Sequence, residues 1–338
     1  MTTQRVSEVV KPALLRWARE TSGLAPDEAA KKIGVKPERL AEWEAGTVRP
    51  TVAQLRKAAS VYKRPLAVFF LGDPPVQPVP LHDFRRLSAG TPSRLSSGLL
   101  LEMRRARRRR AVALDLLGDL ERSVPEFPLR AALDDDPEEV AARASAWLGV
   151  SPEDQARWAG EYEPLSAWLT VLEARSVLVF QTSEVSLEEM RGFSLNERRL
   201  PVIVLNAKDA PRGRVFTLMH EFTHLMLSQG GVCDPLRVGR HARTADERVE
   251  VYCNRVAGAI LVPRDALLGH PLVASVRGRR EWSDEALRQM ADQFAVSREV
   301  VLRRLLILGR TTDDFYDRRR GEYLAKYQVL AARARERE

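Results

Sequence analysis

Five consecutive residues carry the first chemical signal in this 338-residue chain: His220-Glu221-Phe222-Thr223-His224. On a helix, two histidines four positions apart project from one face, within reach of a single ion. Zinc is the usual occupant of such a pair, and Glu221 lies along the flank of that face. There it can take a proton from a water at the metal instead of binding the metal itself, which makes it the general base of a hydrolase. Two imidazoles are too few, because a catalytic zinc takes three protein ligands and keeps a fourth place for water. Glu250 is the leading third ligand: it stands beside an apolar stripe at 249, 253, 256, 257, 260 and 261, where a carboxylate needs a compensating cation. His241 competes from a polar, Arg-rich stretch that offers no evident rigid seat. Spacing alone leaves the choice open.

The chain has two cysteines. Cys233, in Gly230-Gly231-Val232-Cys233-Asp234, is a candidate inhibitory metal ligand: a thiolate there would fill the water's place until a signal withdrew it, the plainer alternative being a small half-buried residue. Cys253 falls within the apolar stripe and reads as core.

The elements that must position these groups are mostly helices. Residues 11–72 read as short helices with short connections, closed by the prolines at 74, 75, 78 and 80. Beyond His82-Asp83-Phe84-Arg85-Arg86, a helix from about Leu99 to Arg122 carries Arg104, Arg105 and Arg107 to Arg110. Residues 136–176 are again helical, with Trp147, Trp158, Leu165 and Trp168 supplying apolar faces. Val177 to Phe180 and Leu200 to Leu205 are strand candidates, the second rich in β-branched residues. The motif helix follows, flanked by Val215, Phe216, Leu218 and Met219 before it and by Leu225, Met226 and Leu227 after it. A further helix spans roughly 246–261 and stops before Pro263, and the remainder is helical with a basic tail that frays.

These residues resemble the ImmA/IrrE family of HExxH metallopeptidases. The family's Glu-x-x-Ala-Asn-x-Phe-Ala-x-x-Leu-Leu-x-Pro element is met here by Glu250-Val-Tyr-Cys253-Asn254-Arg-Val256-Ala257-Gly-Ala-Ile260-Leu261-Val-Pro263, with Cys and Val at the usual Ala and Phe positions. Met190 to Ser194 and Leu200 to Asn206 are similar to the family's segment before the active-site helix. The resemblance implies Zn2+ held by His220, His224 and Glu250, with Glu221 as the base. It implies a zincin-like domain with a small sheet, and cleavage of a helix-turn-helix repressor. It also leads us to expect the LPVIVL strand at the cleft rim, offering an exposed edge to an extended substrate.

Residues 26–45 have the spacing of a helix-turn-helix, with small Ala30, turn Gly34, and Ile33, Val35, Leu40 and Trp43 packing two helices. Trp43-Glu44-x-Gly46-x-x-x-Pro50 and the helix from Val52 to Tyr62 then resemble the XRE family. Lys31, Lys32, Lys36, Arg39 and Arg49 are the candidate DNA contacts, opposed by Glu38, Glu42 and Glu44 on the presumed recognition helix. Docking of a related repressor, or dimerisation, is the alternative use of the module.

With 44% apolar and 30% charged residues, and no apolar run near the ~18–20 residues that span a bilayer, the composition is that of a non-membrane protein. The amino end lacks the apolar core of a secretory signal, and cysteines are few, so a cytoplasmic location is expected. The net charge of +8 favours an anionic partner. Double-stranded DNA at the amino-terminal module and single-stranded DNA, acting as a trigger on Arg104 to Arg110 and the tail from Arg310, both suit it.

The fold expected is mainly α with a small α+β part. A five-helix XRE-type domain occupies 1–72, a proline-rich linker 73–98, a metallopeptidase domain 99–263, and a helical C-terminal region with a basic tail 264–338. The function expected is that of a regulatory zinc endopeptidase that derepresses stress or phage-defence genes, with homodimerisation an added option. The alternative is a DNA-binding regulator whose peptidase-like domain only senses.

Overall fold

The computed structural model describes residues 10–75, 82–83, 95–228, 231–233 and 244–335, the backbone alone being described at 82–83, 231–233 and 327–335. Residues 78, 80, 84–86 and 241, singled out in the sequence, lie outside the described residues. Two compact units form: one holds 10–75 and 95–109, the other 82–83 and 110–335.

The first unit is built from α1 (Pro12–Glu20), α2 (Pro26–Ile33), α3 (Pro37–Ala45) and α4 (Val52–Val61), with a 3-10 turn at Leu66–Phe70 in the fifth helix's place. Proline opens α1, α2 and α3 at the position where a missing N–H costs nothing, and Thr51 with Gln54 forms a capping box on α4. Leu14, Leu15, Ile33, Leu40, Trp43, Leu55, Tyr62 and Phe69 make its core. Glu44 faces that core and not solvent: Arg19 holds it with two bonds of 2.7 and 2.9 Å. It therefore adds no repulsion at a DNA-facing surface, contrary to the expectation from the charge pattern. Helix α5 (Ser97–Asp119) begins in this unit and leaves it after residue 109. Its arginine block is divided in use. Arg104 is half-buried and reaches the Thr21 carbonyl at 3.4 Å, Arg110 donates to the carbonyls of Arg199 and Leu200, and Arg108 and Arg109 are exposed.

The second unit contains β1 (His82–Asp83), α6 (Pro137–Leu148), α7 (Pro152–Arg157), α8 (Glu163–Ala174), β2 (Leu178–Thr182), β3 (Gly192–Leu195) and β4 (Val202–Asn206). Helix α9 (Pro211–Met226), β5 (Gly231–Cys233) and α10 (Ala245–Leu261) follow. The strands form one mixed sheet in the order β1-β5-β3-β4-β2. β2 runs parallel to β4, β3 is antiparallel to both β4 and β5, and β1 is parallel to β5. β4 is therefore a central strand. Every one of its residues is buried and both its edges are paired, so the exposed rim expected of LPVIVL does not exist. β-branched side chains on both faces suit a strand covered on both sides.

The C-terminal segment adds α11 (Arg264–Gly269), α12 (Pro271–Ala274), α13 (Asp284–Gln293), α14 (Arg298–Ile307) and α15 (Asp313–Arg335). Leu267, Leu287, Met290, Val301, Leu305 and Phe315 belong to the same core as α9 and α10. Arg304, 1% exposed, ties this region in by donating to the Val262 carbonyl and to both carboxylate oxygens of Glu138 on α6. Among the described residues no helix is long and apolar enough to cross a membrane.

Candidate metal centre

Helix α9 starts at Pro211, with Asp209 accepting from the Ala210 N–H just before it, and runs through the core with all residues from Arg214 to Met226 buried. One side rests on the sheet. On another, Phe222 is gripped by Phe127 edge-on at 5.7 Å and by Trp147 stacked at 6.1 Å. Helix α10 packs beside it, started by the reciprocal Thr244–Glu247 capping box. Two helices anchored in this way hold their facing side chains in register.

Those side chains are His220, His224 and Glu250. The two Nε2 atoms lie 3.1 Å apart, and Glu250 places Oε2 at 3.3 Å from His220 Nε2 and Oε1 at 3.0 Å from His224 Nε2. A tetrahedral cation bound at ~2.0–2.1 Å separates its ligand atoms by roughly 3.3–3.4 Å, so all three spacings fit one ion. The donor chemistry fits as well. His220 Nδ1 lies 3.1 Å from Asn254 Oδ1, which can only accept, so the proton sits on Nδ1 and the Nε2 lone pair points at the cluster. A lone pair and a carboxylate converging in a site with exposures of 0%, 0% and 1% call for a cation between them. Burial pushes the Glu250 carboxyl upward, and in the absence of a cation the charge and hydrogen bonds of protonated His220 and His224 draw it down to about 2; a bound cation would take over that compensation and leave both imidazoles neutral.

Glu221 is adjacent to His220 and fully buried. Its neighbour across the sheet is Gly192 on β3, where a Cβ would stand 2.7 Å from Thr217 Cγ2, 3.1 Å from Glu221 Cγ and 3.2 Å from Glu221 Oε1. Only glycine permits β3 to approach α9 this closely. Beneath the ligands lies Cys253, whose thiol is pushed well up by burial and by the nearby Glu250 and Glu221, and which acts as a small core group. Tyr252 is buried too, with Asp135, Arg143 and Asp134 as its charged neighbours, not the ligand set.

All three expected ligands and Glu221 are thus brought together. Cys233 lies on β5 with its Cα in register with Gly192, the residue against Glu221; its side chain lies outside the described residues. Lys31, Lys32, Lys36, Arg39 and Arg49 all stand exposed on the other unit, with Lys32 paired to Glu28 and Arg39 to Glu42, each at 3.0 Å. Asn254 and Gly192 had no assigned role. Asn254 was within reach of sequence reasoning, since it lies one helical turn beyond Glu250 on the same face. Gly192 had no such signal, because its neighbours come from another element.

Residues 173–306 match the model of the IrrE N-terminal-like domain, and residues 15–69 match a helix-turn-helix model. The chain has the ImmA/IrrE architecture with an amino-terminal helix-turn-helix. No curated protein matches it. The IrrE-like match takes in β2, β3, β4, α9 and α10, hence all three ligands, and extends into α14. A helix-turn-helix domain and a peptidase-like domain with a possible metal site are therefore joined in one chain.

Proposed function

We propose that the chain is a zinc-dependent regulatory endopeptidase that cleaves a helix-turn-helix repressor in the cytoplasm and so derepresses stress or defence genes. The observation that carries this reading is the convergence of His220 Nε2, His224 Nε2 and Glu250 on one point with 3.0–3.3 Å spacings, beside a Glu221 that is not needed as a ligand. Zinc held there supplies Lewis-acid polarisation of the scissile carbonyl and a position for water. Glu221 takes the proton of the attacking water and returns it to the leaving amine. Asn254 fixes the orientation of His220, and Gly192 keeps β3 against the base. The four polar side chains are buried, which suits a restrained protease.

The amino-terminal unit recruits DNA through Lys36 and Arg39, or the repressor itself, and the exposed Arg108 and Arg109 offer phosphate contacts to single-stranded DNA acting as the trigger. Cys233, as an inhibitory thiolate, adds a restraint that Cys233→Ala lifts, raising basal cleavage.

The test is co-purification with a helix-turn-helix repressor encoded beside it. Cleavage of the repressor that depends on zinc, stops with chelator and is lost in Glu221→Gln with zinc still bound supports the reading. A Glu221→Gln protein with zinc and full biological activity establishes instead a regulator whose peptidase-like domain only senses.

A further inference from the structure

Away from the metal ligands, the second unit carries a half-open cavity of about 860 Å³ that the proposed reaction does not use. This is the size of a small-molecule site, for which ~300–1,000 Å³ is usual. Its walls combine flat apolar surface from Trp158, Phe216 and Tyr323 with charge. Six arginine or lysine side chains and four carboxylates line it, an excess of two positive charges. The carboxylates are largely engaged: Asp209 with Arg191 at 2.6 Å, Asp292 with Arg212 at 2.8 Å and Arg288 at 3.0 Å, and Glu299 with Arg303 at 3.6 Å. Arg298 and Lys326 have no carboxylate partner among the described residues.

Tyr323, 6% exposed, meets the cavity with its ring, while its Oη is shut off from solvent. Arg298 lies 5.7 Å from the centre of that ring and Arg319 5.4 Å, so the ring seats the Arg298 guanidinium. The cavity thus offers a seated guanidinium without a carboxylate partner among the described residues, a lysine and aromatic walls.

We propose that this cavity binds a small anion built on a flat ring, an aromatic phosphate or carboxylate. Arg298 and Lys326 meet the charged group, and the ring lies against Trp158 or Phe216. The occupant touches Phe216 and Thr217, one turn before His220 on α9, so it contacts the helix that carries the metal ligands without contacting the ligands themselves.

The experiment is isothermal titration of the full chain with AMP, salicylate and adenosine. AMP or salicylate binds with Kd below about 1 mM, and adenosine binds about tenfold more weakly or not at all. Binding of AMP alone selects phosphate, of salicylate alone carboxylate, and of both the shared oxyanion chemistry. Arg298→Ala weakens the anion about tenfold and Lys326→Ala, at an exposed position, about threefold. Circular dichroism checks each fold, and if Arg298→Ala misfolds Lys326→Ala carries the test. The proposal is overturned if neither anion binds up to about 10 mM, if adenosine binds as well as AMP, or if a folded Lys326→Ala leaves affinity unchanged. None of these readouts depends on proteolysis.

Discussion

Gly192→Ala adds a single methyl group at the closest approach between the sheet and the motif helix. The new Cβ stands 2.7 Å from Thr217 Cγ2 and 3.1–3.2 Å from the Glu221 side chain. Carbon atoms rest at ~3.5–4.0 Å, so β3 and α9 must part by close to ~1 Å. Neither yields easily: β3 is hydrogen-bonded on both edges, to β4 and β5, and α9 is backed by Phe127 and Trp147. Overpacking of this kind costs about 1–3 kcal/mol, offset by about 0.4–1 kcal/mol from the reduced entropy of the unfolded chain, which leaves a net loss of roughly 1–2 kcal/mol. Guanidinium unfolding measures it, with zinc stoichiometry taken in parallel. Thr217→Ser removes the methyl that makes the shortest contact, so the double variant regains about 1 kcal/mol beyond additivity. The Glu221 contact persists in that double variant, so hydrolysis recovers less than stability does. A Gly192→Ala protein with parental stability, zinc content and hydrolysis would refute the claim that this approach positions the base.

Three further outcomes are expected. Asn254→Ala removes the acceptor that fixes the His220 tautomer and weakens zinc about 10–100-fold in competition with a chromogenic chelator; unchanged affinity sinks that role. Arg304→Ala leaves Glu138 without its bidentate partner and the Val262 carbonyl without its donor, and costs about 3–5 kcal/mol by denaturant titration, whereas a loss under about 1 kcal/mol would show the tie to be dispensable. Burial, with Asp135 nearby, raises the Tyr252 phenol from 10.0 to about 12, so the folded state holds its proton while the unfolded chain gives it up. The stability from this group is complete below pH 10 and is lost as pH rises through about 12. Tyr252→Phe therefore flattens the alkaline limb of a Tm-against-pH curve while leaving neutral-pH stability within about 0.5 kcal/mol, and an unaltered alkaline limb would discount the shift.

What could be read from the residues alone was whatever depends on near neighbours along the chain. The 3.6-residue helical period puts His220 and His224 on one face and Glu221 beside them, and it also runs the stripe that marks Glu250. Small Ala30, turn Gly34, the apolar spacing of Ile33, Val35, Leu40 and Trp43, and Gly46 and Pro50 after the second helix made the helix-turn-helix legible for the same reason.

Tertiary structure decided everything that needed a partner from far away. Whether Glu44 repels DNA depends on Arg19, 25 positions earlier, and Arg304 matters because Glu138 lies 166 positions from it. LPVIVL reads equally well as an edge or a central strand, since covering both faces does not say what pairs at the sides; β3 and β2 settle that by taking both edges. The spacing that makes three side chains one metal site, and the gap at Gly192 that seats the base, come from the register of α9 against α10 and β3. That register is a property of close packing between elements, and no local pattern in any one of them encodes it.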